Sequence, residues 1–173
     1  MPAASSSLGD DVKDTSPNQT VHKAKALAAI LCGGGVAGLI DLTYATTFYG
    51  LRGVPPIRVP QSIASGLLGP GAYQGGMRTA ALGVVLHFVI ALGAACVFFL
   101  ASRQLPFLLQ KPFLWGPVFG AGIYAFMHLV VLPLSANPRL HHTTVSFPTV
   151  SDFVVHVLVL GPTIVFAARR FSR

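Results

Sequence analysis

The stretch Ser151–Ala168, SDFVVHVLVLGPTIVFAA, decides how this chain is read. Its body is a continuous apolar run, which has the character of a membrane span. Its first turns nevertheless carry a carboxylate, Asp152, and an imidazole, His156. Four residues apart, the two lie one above the other on a single helix face. Ionisable groups inside a membrane are costly, and they normally face the interior of the helix bundle. The pair therefore raises the question of what the other helices bring to the same level.

Composition supports the membrane reading. The chain has 173 residues, of which 53% are hydrophobic and 10% charged, where soluble domains carry about 25% charged residues. Its mean hydropathy is +0.66. So few charges cannot cover a globule with solvated surface. The net charge of +7 does not indicate nucleic acid, because Lys and Arg flank apolar runs instead of forming a stripe with interleaved aromatics. The expected partner is the lipid bilayer.

Residues 1–22 are polar, hold three of the five acids and read as a disordered tail. Residues 23–173 then form one domain with four apolar runs, at about 24–51, 79–102, 113–136 and 153–168. Each approaches or exceeds the ~17–25 residues that a spanning helix needs. A β-barrel would alternate in hydropathy instead. The fold class is therefore an all-α membrane protein with four transmembrane helices. The first connection, residues 52–77, contains PQSIASGLLG, which predicts a short interfacial or re-entrant helix. Pro60 suits its first turn, and Gly69-Pro70 suits its end. An even number of spans puts both termini on one side, with Lys23, Lys25, Arg103, Lys111, Arg169, Arg170 and Arg173. Arg52, Arg58, Arg78 and Arg139 fall on the other. This asymmetry favours cytoplasmic termini.

The topology also sets depth. Asp41, His87, His128 and His156 each lie about 8–15 Å below the non-cytoplasmic end of their helix at the helical rise, with Asp152 at a span's edge. Small residues accompany them at helical spacing, among them Gly34, Gly38, Gly83, Gly116 and Gly120. Small residues mark faces where membrane helices approach closely. Asp41, His87, His128, Asp152 and His156 thus read as one polar layer. Within it, His87, His128, His156 and Asp152 are candidate ligands for a divalent transition metal. The same groups suit proton transfer. Non-covalent bis-His haem is a weaker option, and no Cys-x-x-Cys-His attachment motif occurs. Hydrogen bonding that only secures helix packing is the structural alternative.

The order of these features resembles the YagU-like family of small bacterial inner-membrane proteins. Three patterns between about Gly83 and Arg170 carry the resemblance. One is His87 leading through RQLPFLLQKPFLWG. Another is His128 in HLVVLPL. The last is SDFVVH followed by a helix ending in Arg169-Arg170. The resemblance implies a bacterial inner-membrane location and a common setting for the three His and the acid. It implies no mechanism.

Other signals are secondary. Gly34-x-x-x-Gly38 reads as a helix-packing face. Cys32 and Cys96 read as small buried hydrophobes and imply no disulfide framework. Arg58, Gln61 and Ser62 form a candidate site for an anion or lipid headgroup at the start of the short helix. His141-His142 read as a loop pair. No hydrolase motif is present, so hydrolase readings lack support. The preferred reading is a non-enzymatic membrane protein, as a homo-oligomer, within a larger membrane complex, or alone. A membrane enzyme or haem-binding redox protein is the weaker class.

Overall fold

The computed structural model describes residues 17–141 and 146–172. These residues form five helices, with no strand among them: α1 (Pro17–Gly50), α2 (Arg58–Leu68), α3 (Gly76–Gln104), α4 (Pro112–Val131) and α5 (Phe147–Phe171). All but α2 are long and apolar enough to cross a membrane.

The boundaries differ from expectation in ways that local chemistry explains. The first helix begins at Pro17, ahead of the expected start near residue 24, so residues 17–22 are helical and not part of a tail. The rest of that tail, residues 1–16, lies outside the described residues. α4 ends at Val131, short of the expected residue 136, because Pro133 cannot continue the hydrogen-bond ladder. α5 begins at Phe147 with Pro148 in its first turn, where a missing N–H costs nothing. Asp152 therefore sits within the helix and not at its edge. α2 starts at Arg58 and ends where Gly69 adopts φ +71°, a conformation that glycine adopts without strain.

Large apolar side chains face outward, among them Leu27, Leu31, Leu39, Val97, Leu100, Phe113 and Leu158. Glycine and alanine occupy many of the contacts between helices. This distribution suits a bundle in hydrocarbon, where tight backbone approach holds helices together. Gly34 lies against the backbone of Ala91 and Leu92, so a Cβ there would come within 2.8 Å of it, and Gly38 lies against Ala91 and the Phe88 ring. The Gly34-x-x-x-Gly38 face is thus the α1–α3 contact. Gly116 meets Pro162, and Gly120 meets the His156 carbonyl, which brings α4 onto α5. Gly83 meets the Pro60 carbonyl and seats α2 on α3.

The buried apolar core comprises Ala29 and Ala37 of α1, Ala95, Phe98 and Phe99 of α3, and Leu160, Ile164, Val165 and Ala168 of α5. It fills the end of the bundle nearer the termini. Toward the opposite end the helices enclose a cavity, and α2 lines one side of it. Cys32 is exposed on α1 and Cys96 is half-buried, and both are free thiols. The expectation of two buried cysteines therefore fails for Cys32, which occupies the outward face of its helix.

Gly120→Ala is expected to lower stability by about 1–3 kcal/mol, because the new methyl group meets backbone that cannot yield. Gly122 has open space around it, so Gly122→Ala should stay within about 0.5 kcal/mol of wild type. Unfolding of the detergent-purified protein in a dodecyl sulfate titration measures both.

Candidate functional site

All five helices wall one cavity of about 340 Å³. Its lining includes Asp41, His87, His128, Asp152 and His156, together with Tyr49 and apolar side chains such as Leu42, Ile63 and Ile90. Val59 and Ser62 of α2 close one side. The volume is that of about ten waters in the liquid, so the cavity has room for far more than a bare ion.

Within it, Asp41, Asp152 and His156 converge. One ligand atom from each lies within 4.8 Å of the others. The chain has five acidic residues, and Asp10, Asp11 and Asp14 belong to residues 1–16. The only two carboxylates among the described residues are thus the two in this cluster. His156 is buried, with 8% of its surface exposed, and both carboxylates are half-buried. No Lys or Arg forms an ion pair with either acid among the described residues. Imidazoles are their nearest basic groups: His87 Nε2 lies 3.9 Å from Asp41 Oδ2, and His156 Nδ1 lies 3.5 Å from Asp152 Oδ1.

Two prolines shape the helices that carry the histidines. Pro133 and Pro162 have no N–H, and their rings exclude the carbonyl one turn earlier. In each case the preceding residue reaches back five positions instead of four. Leu132 N–H bonds the Met127 carbonyl at 2.8 Å, and Gly161 N–H bonds the His156 carbonyl. The results are π-turns at Met127–Val131 and His156–Leu160. One extra residue in a turn re-aims the side chains before it by about 100° relative to those after it. Both π-turns contain a histidine of the cavity.

Hydrogen bonds define the imidazoles further. His156 Nδ1–H donates to the Asp152 carbonyl at 2.9 Å, and His128 Nδ1–H donates to the Tyr124 carbonyl at 3.0 Å. A carbonyl only accepts, so in the neutral ring Nε2 carries the lone pair. His87 has the opposite tautomer: its Nε2–H donates to the Gly38 carbonyl at 2.8 Å, joining α3 to α1.

These contacts revise the expected ligand set of His87, His128, His156 and Asp152. His156 and Asp152 belong to the cluster. His87 and His128 line the cavity but stand outside it. The His87 nitrogen nearest Asp41 is already donating to Gly38, and the His128 ring lies flat on Tyr124, with centroids 3.9 Å apart. Asp41 takes the third place, although only the polar layer, and not the metal set, was expected to include it. Of the expected anion set, Arg58 reaches Gln61 Oε1 at 3.5 Å, while Ser62 lines the acidic cavity. The buried Gln61 amide donates to the Gly76 carbonyl and Thr79 Oγ1. His141 Nε2–H donates to the Ser135 carbonyl, and His142 lies outside the described residues.

Two tyrosines were missed as parts of the site. Tyr124 stacks on His128, meets His156 edge-on at 5.7 Å and donates to the Thr149 carbonyl at 3.2 Å. The Tyr44 hydroxyl donates to Ser151 Oγ at 2.7 Å, anchoring α5 beside Asp152. The signal for each was spacing: Tyr44 follows Asp41 by three residues, and Tyr124 precedes His128 by four, so each shares its helix face.

No family model, curated protein or solved structure matches the chain.

His87 and His128 are therefore expected to act in packing. His87→Ala, which loses an interhelical bond, should cost about 0.6–1.7 kcal/mol. His128→Ala, which loses a bond within α4 and the Tyr124 ring contact, should cost about 0.5–1.5 kcal/mol. Both should leave the Asp41–Asp152–His156 cluster assembled. Unfolding midpoints of the two variants in detergent check this.

Proposed function

We propose that this protein is a multi-pass membrane protein whose Asp41–Asp152–His156 cluster binds a divalent transition-metal cation within the bundle. The observation that carries this reading is the meeting of the only two carboxylates among the described residues with a buried imidazole. Carboxylates held close together among apolar helices repel and are poorly solvated. A divalent cation would neutralise both at once. Two oxygen donors and one imidazole nitrogen suit Mn²⁺, Fe²⁺ or Zn²⁺ better than a soft ion. Three protein ligands would leave coordination positions facing a roomy cavity, as in sites where water or a second ligand completes the shell. The proposal includes membership of the YagU-like family and, from that resemblance, a bacterial inner membrane. Cytoplasmic termini rest on the distribution of Lys and Arg.

A second reading, proton transfer, draws on the alternation of basic and acidic groups across the cavity: His87 beside Asp41, Asp41 beside Asp152, and Asp152 beside His156. Elemental analysis of the detergent-purified protein separates the two. Wild type incubated with Mn²⁺, Fe²⁺ or Zn²⁺ should retain close to one equivalent. D152N and H156A should each lose affinity by more than the about 10–100-fold that an outer partner of a metal ligand is worth. H128A should bind as wild type does. A folded wild type that retains none of these ions overturns the metal reading. A carboxylic-acid infrared band that disappears in D152N would then favour proton transfer. Variants that fail to assemble around an ion-free wild type would reduce the layer to a packing device.

A further inference from the structure

A second polar hollow lies on the connection face of the bundle. It is lined by Arg58 at the start of α2, by Pro70, Tyr73 and Gln74 in the turn that leads into α3, and by Arg139 in the turn that follows α4. Three separate stretches of chain thus bring two arginines to one hollow. We propose that Arg58 and Arg139 form an anion site that takes a phosphate group, either from an anionic lipid headgroup or from free phosphate.

The charge inventory motivates the assignment. Asp41 and Asp152 are the only carboxylates among the described residues, and both face the other cavity. Neither arginine forms an ion pair among the described residues. Two like charges on one hollow repel, and an anion from outside the chain removes that cost. Arg58 lies 5.5 Å from the Tyr73 ring centroid, and Arg52, outside the hollow, makes a closer contact of the same kind. Its guanidinium lies 3.6 Å from the Phe48 ring centroid and donates to the Phe48 carbonyl at 2.9 Å.

The hollow is also built. Arg58 Nη1 donates to the Tyr73 carbonyl at 2.9 Å and reaches Gln61 Oε1 at 3.5 Å, which leaves its other N–H groups for a ligand. The backbone at Arg139 is held by Asn137, only 1% exposed. The Asn137 side chain accepts from Arg139 N–H at 3.1 Å and donates to the buried Ser65 Oγ at 2.9 Å. This buried link ties the Arg139 turn to α2, the helix that carries Arg58. The Arg139 guanidinium itself makes no hydrogen bond among the described residues. Planar guanidinium groups match phosphate oxygens in pairs. The hollow also lies on the connections, after the end of α4 and before the start of α3.

The test uses the full chain in detergent, with native mass spectrometry for phosphatidylglycerol against phosphatidylcholine and calorimetry for inorganic phosphate. Wild type should bind phosphatidylglycerol, inorganic phosphate or both. R139Q should weaken that binding about tenfold or more, as expected for loss of a charge-assisted hydrogen bond, and R58Q/R139Q should abolish it. R52Q/R78Q makes the same change of charge on the same face and should stay within about twofold, since a diffuse field contributes little. Binding of the lipid alone assigns a headgroup site, and equal binding of inorganic phosphate assigns a free-phosphate site. The proposal is overturned if wild type binds neither probe, or if R52Q/R78Q loses as much as R58Q/R139Q. The Arg139 guanidinium makes no hydrogen bond or ion pair among the described residues, so R139Q reports on binding even if R58Q disturbs α2.

Discussion

Two carboxylates share one cavity in this bundle, and neither pairs with a Lys or Arg among the described residues. In water their mutual repulsion would be small, but among apolar helices it is not. Each needs a counter-charge or a proton, and histidines are the nearest groups able to supply one. The half of the bundle away from the termini holds the groups that meet that demand. Three of the four membrane-length helices bring a histidine to the cavity. The Tyr44–Ser151 bond fixes α5 beside α1 at the level of Asp152. The apolar core is displaced toward the other end, where Phe98, Leu160 and Val165 belong to one buried cluster.

Glycine and proline set the geometry in which that demand is met. Gly120 and Gly161 let α4 and α5 touch backbone to backbone beside His156. Pro133 and Pro162 widen the same two helices by one residue each, at the two turns that contain His128 and His156. A regular helix in either place would point these imidazoles elsewhere. The cavity is thus shaped by residues with little chemistry of their own, and its acids and imidazoles are carried on helices that small residues and prolines position.

The two polar regions of the molecule complement each other in charge. The acidic cavity lies beneath α2, and the basic hollow lies at its start. Val59 lines one and Arg58 the other, although they are neighbours in the chain. α2 separates them, held down by Gln61 on α3 and by the Asn137–Ser65 link to the α4–α5 connection. Buried polar links of this kind specify position where apolar packing alone would allow sliding.

The sequence by itself determined the all-α class and the four membrane-length helices, because continuous apolar length is a local property that needs no knowledge of neighbours. It also indicated α2, through Pro60 and Gly69, and singled out Asp41 and the SDFVVH pair, because ionisable residues in apolar runs stand out by cost alone. Tertiary structure decided which of these groups meet. Asp41, Asp152 and His156 come from helices far apart in sequence, and whether they converge depends on rotation about each helix axis. Those rotations follow from glycine contacts and from two π-turns, which a regular 3.6-residue period does not anticipate. The same dependence moved His87 and His128 out of the cluster, since a carbonyl and a tyrosine ring on neighbouring turns and helices claimed them first. Arg139 joined Arg58 for a similar reason: only the folded α4–α5 connection, locked by Asn137, brings the two arginines to one hollow.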